Sequence, residues 1–169
     1  MDGAKTNRAA QGFTLIELLV VLVIIGIILT VAGLSLGGPS QRQQADEEAQ
    51  RLAALISLAN QQAVLETTQL GLRVERDGYY FVTLIKGKWQ PSDDELLRRR
   101  HLPAGIQTQL NVEGLAANTA PKHDAPQVLV LPDGEMTPFE VELNDGRGTV
   151  FATVKGSAMG QITVEPPQP

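Results

Sequence analysis

The chain is 169 residues long and 43% hydrophobic, with 14 Lys and Arg against 19 Asp and Glu, a net charge of −5 and no cysteine. Disulfides, thiol catalysis and thiolate metal sites are excluded, so a folded domain must stand on its core alone. The acidic balance gives no support for a nucleic-acid partner.

The first twelve residues are polar and carry Lys5 and Arg8 against Asp2. From Phe13 to Leu36 the only charge is Glu17. As a helix rising about 1.5 Å per residue this run reaches about 36 Å, enough to cross a hydrocarbon core of about 30 Å. A buried helix of a soluble protein shows a polar stripe, whereas this run is apolar all round. It predicts a transmembrane helix over 13–37. Positive charge on the short flank keeps that end in the cytoplasm and sends the long C-terminal part outward. No small-x-small site follows the run, so ordinary signal-peptide cleavage is not indicated. Glu17 falls about one turn into hydrocarbon, where an ionised carboxylate costs several kcal/mol unless paired.

A cut between Gly12 and Phe13 would account for these features together. It removes the basic leader, residues 1–12, and leaves an α-amine on Phe13 about one turn from Glu17. An amine and a carboxylate attract strongly in low dielectric and offset much of their desolvation. The amine belongs either to the same chain or to a neighbouring helix, and in the second case Glu17 sets the register of stacked helices. The alternative is that Glu17 snorkels to the cytoplasmic headgroups. On the residues alone the two readings stay open.

Gly12-Phe13-Thr14-Leu15-Ile16-Glu17 resembles the processing motif of type IV pilins and type II secretion pseudopilins. The resemblance implies cleavage after Gly12 by a prepilin peptidase, N-methylation of Phe13, and a role for Glu17 in docking the subunit into a filament. The motif is short but specific, because it joins a cleavage site, a lone charge and an anchor in fixed order. It defines the superfamily rather than the member.

Gly37-Gly38-Pro39 either breaks the helix or bends it modestly. A second, amphipathic helix is predicted over 38–67. Ala45, Ala49, Leu52, Ile56, Ala59 and Ala63 alternate at spacings of four and three. Asp46 and Glu47 are expected in an early turn, where the helix dipole favours them. The apolar stripe packs on the domain that follows, or forms a seam against neighbouring subunits.

Residues 68–169 form a β-rich region. Leu70, Leu72 and Val74 alternate with Gly71, Arg73 and Glu75. Arg76-Asp77-Gly78 supplies a turn, and Tyr79 to Lys86 returns as a strand rich in aromatic and β-branched residues. Gly87-Lys88 is the next turn, with Trp89 resting on a sheet face. Residues 91–95 form a polar loop, and 96–102 reads ambiguously as a short strand. Further strands are expected at 106–112, 127–131, 139–143, 149–155 and 161–164. Residues 113–126 read as a long surface loop. The proline-rich end from Glu165 to Pro169 joins no ladder and frays.

This order of elements predicts an α+β fold, with antiparallel, sandwich-like sheets packed on the amphipathic helix. The run Val128 to Gly134, with Thr137, Phe139 and the strand opened by Gly160-Gln161-Ile162, resembles the C-terminal domain of H-type minor pseudopilins of type II secretion. Minor pilins of type IV pili share that pattern. The resemblance implies a pilin-like fold whose upper helix packs on its own domain and whose lower helix packs on neighbours.

No catalytic residue, cofactor or metal site is predicted. His101 and His123 lack the spacing of a metal pair. Ser157, in Gly-Ser-Ala-Met-Gly, misses the Gly-x-Ser-x-Gly pattern and reads as a turn. Asp93-Asp94-Glu95 lacks the spacing for converging calcium ligands. Arg98-Arg99-Arg100-His101 is the one dense basic run. Its readings, in order, are an edge strand guarded by charge, a patch for an acidic partner, and a DNA contact.

The expected function is a non-enzymatic minor pseudopilin near the tip of a periplasmic secretion filament. It is expected to link other minor pseudopilins to the major-subunit shaft. Its expected partners are those pseudopilins, the prepilin peptidase and inner-membrane lipid, with no nucleic acid. The inner membrane holds it by a single pass, with the N-terminus cytoplasmic and 68–169 periplasmic. The alternative is a minor pilin of a type IV pilus, with an adhesion or DNA-uptake role.

Overall fold

The computed structural model describes residues 15–35, 40–117 and 125–167. Gly12, Phe13, the Gly37-Gly38-Pro39 junction and His123 lie outside the described residues. The chain divides at residue 38 into two units, the first containing helix α1 (Leu15–Ser35) and the second everything after it.

Helix α2 (Gln41–Glu66) opens at Ser40, whose hydroxyl accepts from the amide of Gln43. This cap satisfies one of the four amides that a helix start leaves unpaired. The helix closes at Thr67, which takes the left-handed conformation at φ 51°. The Thr67 and Thr68 amides then donate back to Val64 and Ala63. The predicted stripe is the buried face: Ala45, Ala49, Leu52, Ile56, Ala59 and Ala63 are all at most 1% exposed. Four of these six are alanine, which lets the sheets approach the helix axis closely. One expectation is corrected here. Because the helix starts at Gln41, Asp46 and Glu47 fall beyond its first turn, which holds no acid. The dipole's influence fades within that turn.

Among the described residues ten strands follow: β1 (Leu70–Glu75), β2 (Gly78–Ile85), β3 (Lys88–Pro91), β4 (Arg100–His101), β5 (Gln107–Val112), β6 (Leu115–Ala116), β7 (Val128–Val130), β8 (Phe139–Asn144), β9 (Val150–Gly156) and β10 (Ile162–Glu165). They form two antiparallel sheets. One runs β3-β2-β1-β7, with β4 also on β2, and the other runs β10-β9-β8-β5-β6. Leu72 pairs with Phe81 and Val74 with Tyr79, which sets these apolar side chains on the α2 side. Leu110, Val141 and Val154 line up across β5, β8 and β9 and supply the second sheet's share of the same core. Gln127 extends the first sheet past the end of β7. Its side-chain amide donates to the Val74 carbonyl at 2.8 Å and accepts from the Val74 amide at 3.2 Å, imitating a strand.

Two strand expectations are corrected. Lys88 is not in a turn and Pro91 does not open a loop, because 88–91 pairs with β2 and sets Trp89 opposite Leu84. The expected long loop at 113–126 begins with a hairpin, since Leu115 and Ala116 pair back on β5. Both misses have one cause. The tight turns are Lys86-Gly87 (φ 51° and 77°) and Glu113-Gly114 (φ 51° and 79°). In each, a residue that rarely adopts positive φ precedes the glycine. Asp77-Gly78 carries the stronger turn signature, yet Gly78 is the first residue of β2. A methyl there would sit 2.2 Å from the Arg100 carbonyl, so Gly78 is what admits β4. The ambiguous segment 96–102 resolves into that two-residue strand, preceded by the fully buried Leu97.

Candidate functional site

Helix α1 presents apolar surface on every side. Each Leu, Ile and Val from Leu15 to Ile27 is between 42% and 82% exposed. Glu17 is also exposed and falls in the first turn, where the dipole favours an acid. A stripe of exposed leucine is ordinary, but a cylinder of it is not stable in water. The rod must be covered by lipid, by other helices, or by both in turn. Among the described residues no helix is long and apolar enough to cross a membrane. Of the three residues expected to direct processing and assembly, Glu17 lies within the described residues, and Gly12 and Phe13 lie outside them.

The basic run is largely consumed by the domain. Arg99 pairs with Glu75 and lies over the Tyr80 ring at 4.1 Å, while Arg73 reaches the same ring at 5.6 Å. The hydrogen bond to Glu75 holds the Arg99 guanidinium above its usual pKa. Arg100 donates to the Leu96 carbonyl at 3.3 Å. Arg100 and His101 themselves are an edge strand on β2. Of the three readings, strand pairing favours the guarded edge.

Beneath that edge is a polar cluster that the sequence reading missed. Glu48 is 8% exposed and pairs with Arg51 one turn later. Burial, and then the Glu48 carboxylate, push the Tyr79 phenol up to about 12, against the opposing pull of Arg100 and Arg51. The Tyr79 hydroxyl and the Arg100 Nε are buried without a hydrogen-bond partner among the described residues. A signal was present: Glu48 lies between Ala45 and Leu52, on the apolar stripe. A carboxylate there must find a cation.

The remaining polar candidates serve turns. The Ser157 hydroxyl accepts from the Gln161 amide at 3.2 Å. An Asp94 carboxylate oxygen accepts from the Leu96 amide at 2.8 Å. Among the described residues, no group of three or more His, Asp or Glu is placed to hold a metal ion. The second sheet's outer face carries open grooves of about 390 and 530 Å³. Lys155 spans that face, bridging Glu140 on β8 and Glu165 on β10 at 3.3 and 2.9 Å.

Comparison with known proteins agrees with this architecture. Residues 7–33 match the prokaryotic N-terminal methylation motif, and residues 48–160 match the family described as type II transport protein GspH. The type II secretion system protein H of Pseudomonas aeruginosa is 39% identical over 80% of this chain and 84% of its own. The minor pseudopilin EpsH of the Vibrio cholerae type II secretion system superposes with a TM-score of 0.67. It is 25% identical, over 77% of this chain and 99% of that one. The Pseudomonas aeruginosa type IV minor pilin FimU, 18% identical with a TM-score of 0.50, shares the fold alone. A striped helix under two antiparallel sheets, the N-terminal motif and these matches lead to one conclusion: the chain belongs to the GspH family, the H-type minor pseudopilins of type II secretion.

Proposed function

We propose that the protein is a non-enzymatic filament subunit, held in the inner membrane by residues 13–37 with its N-terminus cytoplasmic. Residues 38–169, the amphipathic helix and the β-rich domain at 68–169, are periplasmic. Prepilin peptidase removes residues 1–12 after Gly12, and the new Phe13 amine is methylated. Phe13 and Glu17 then guide the helix against neighbouring anchors as the subunit leaves lipid for the filament. The subunit lies near the tip, where it links other minor pseudopilins to the major shaft and so supports secretion.

One observation carries this reading: a rod apolar on all sides bearing a single acid. Lipid alone gives that acid no reason to sit in the apolar run, whereas a helix bundle with a free α-amine does. The test is N-terminal sequencing of the full-length protein extracted from membranes. The reading requires a chain that begins at methylated Phe13. A functional chain that still begins at Met1 contradicts it.

A further inference from the structure

A sheet edge leaves a row of amides and carbonyls unpaired, and proteins ordinarily blunt it with charge, proline, shortness or a covering segment. Among the described residues the edges of this domain follow that rule with one exception. In the first sheet, β3 carries the exposed Lys88 and ends on Pro91, which has no amide to offer. Strand β4 is two residues long and basic. Strand β7 is covered by the segment after it: the Leu131 amide donates to the Glu135 carbonyl at 2.8 Å and the Thr137 amide to the Leu129 carbonyl at 2.9 Å. In the second sheet, β6 is two residues long. The exception is β10, which pairs with β9 on one side and, among the described residues, with no strand on the other. It reads Ile162-Thr163-Val164-Glu165, and three of its 4 residues are β-branched. It holds no lysine, arginine or proline, and its one charge, Glu165, is bound by Lys155 of β9 at 2.9 Å.

The turn before β10 fixes which of its backbone groups face outward. The Ser157 amide donates to the Gln161 carbonyl at 2.9 Å, so these two residues are a hydrogen-bonded pair. Such pairs alternate with open ones along an antiparallel ladder. Thr163, opposite Lys155, and Glu165, opposite Thr153, therefore face β9. The amides and carbonyls of Ile162 and Val164 point away from it, and among the described residues nothing pairs with them.

We propose that β10 takes an extended segment of another pseudopilin as an added strand of the second sheet. The inference rests on the pseudopilin reading above and names a surface for it. Outward amides and carbonyls at strand spacing select an extended chain, which satisfies them along its length. A second copy is the wrong occupant. Two β10 edges that close on each other do so antiparallel about a two-fold axis. That turns the second α2 end over end and sends its Ser40 end, which leads to residues 13–37, the opposite way. Two chains held in one membrane by that segment cannot both comply. The added strand should alternate apolar and polar residues. Ile162 and Val164 set one face of β10 partly against the core, while Thr163 and Glu165 lie on the other face.

The test uses the full-length tagged chain, co-expressed with the other pseudopilins of its own secretion system and recovered in detergent. Amide hydrogen exchange is read residue by residue. In the chain recovered alone, Ile162 and Val164 should exchange fast, and Thr163 and Glu165 slowly. With the partner bound, exchange at Ile162 and Val164 should slow by about tenfold or more. Val164→Pro removes an outward amide and leaves the β9 ladder intact, so it should lower the co-recovered pseudopilin by about tenfold. Thr163→Pro breaks that ladder instead and should lower the melting temperature. The exchange pattern decides the matter even where a proline unsettles the fold. Ile162 and Val164 amides that stay unprotected in the complex overturn the added strand and leave the pseudopilin reading intact. Protection of both amides in the chain recovered alone makes a second copy the occupant and likewise overturns the proposal. A wild-type chain that recovers no pseudopilin at all overturns both.

Discussion

Among the described residues two helices of comparable length solve opposite problems. Helix α2 has a polar face and a dry stripe, and its stripe is at most 1% exposed against its own sheets. Helix α1 has no such division, and its side chains to Ile27 stand open around the whole circumference. Periodic apolar residues specify a partner within the chain; apolar residues on every side specify a surrounding medium. Helix α2 is accounted for by the fold of its own domain, and α1 by whatever lipid or neighbouring helix covers it.

The largest expected effect breaks the α1 side. Gly12→Val should leave residues 1–12 attached and reduce secretion to background, read by the size of the membrane-extracted chain and by exoprotein in the medium. Full processing of this variant would contradict the cleavage assignment. Next comes a paired substitution that sharpens the contrast. Leu52→Ala should cost the domain about 2–5 kcal/mol, because it opens a cavity between α2 and the sheets. Leu22→Ala in α1, where Leu22 is 68% exposed, should leave the domain's melting temperature unchanged. Equal losses from both would mean that α1 also contributes to the domain's core.

The smallest effect concerns the cluster under the β4 edge. The Tyr79 phenol is raised from its ordinary value of 10.0 to about 12 in the folded chain. The unfolded chain therefore gives up this proton first. The contribution is complete below pH 10 and is lost as pH rises towards about 12. Thermal melts between pH 9 and 12 should fall more steeply for the wild type than for Tyr79→Phe. Because the hydroxyl is unpartnered among the described residues, the substitution should be neutral or mildly stabilising at pH 7.

What could be read from sequence followed the same division. The α2 stripe was legible position by position, because a spacing of three and four has one meaning on a helix. The core strands were legible for the equivalent reason at a period of two. The tight turns were not. Lys86 and Glu113 adopt positive φ only because the strands around them leave no alternative, and nothing in either residue advertises that. Gly78 advertised a turn and instead makes room for the Arg100 carbonyl, and Arg76 meets Gln107, 31 places further along the chain. Such contacts depend on which segments meet in space, and period-based reading carries no information about that. For the N-terminal residues the reverse holds. Gly12, Phe13 and Glu17 were legible as a motif, and the roles proposed for them would be exercised outside the folded domain.

The central claim is that Glu17 joins subunits rather than stabilising one. Complementation of a strain lacking the chain by Glu17→Ala, scoring leader cleavage and secretion together, tests it most directly. The account predicts a chain cut to begin at Phe13, a domain with wild-type melting temperature, and secretion that fails. Normal secretion by that variant would contradict it.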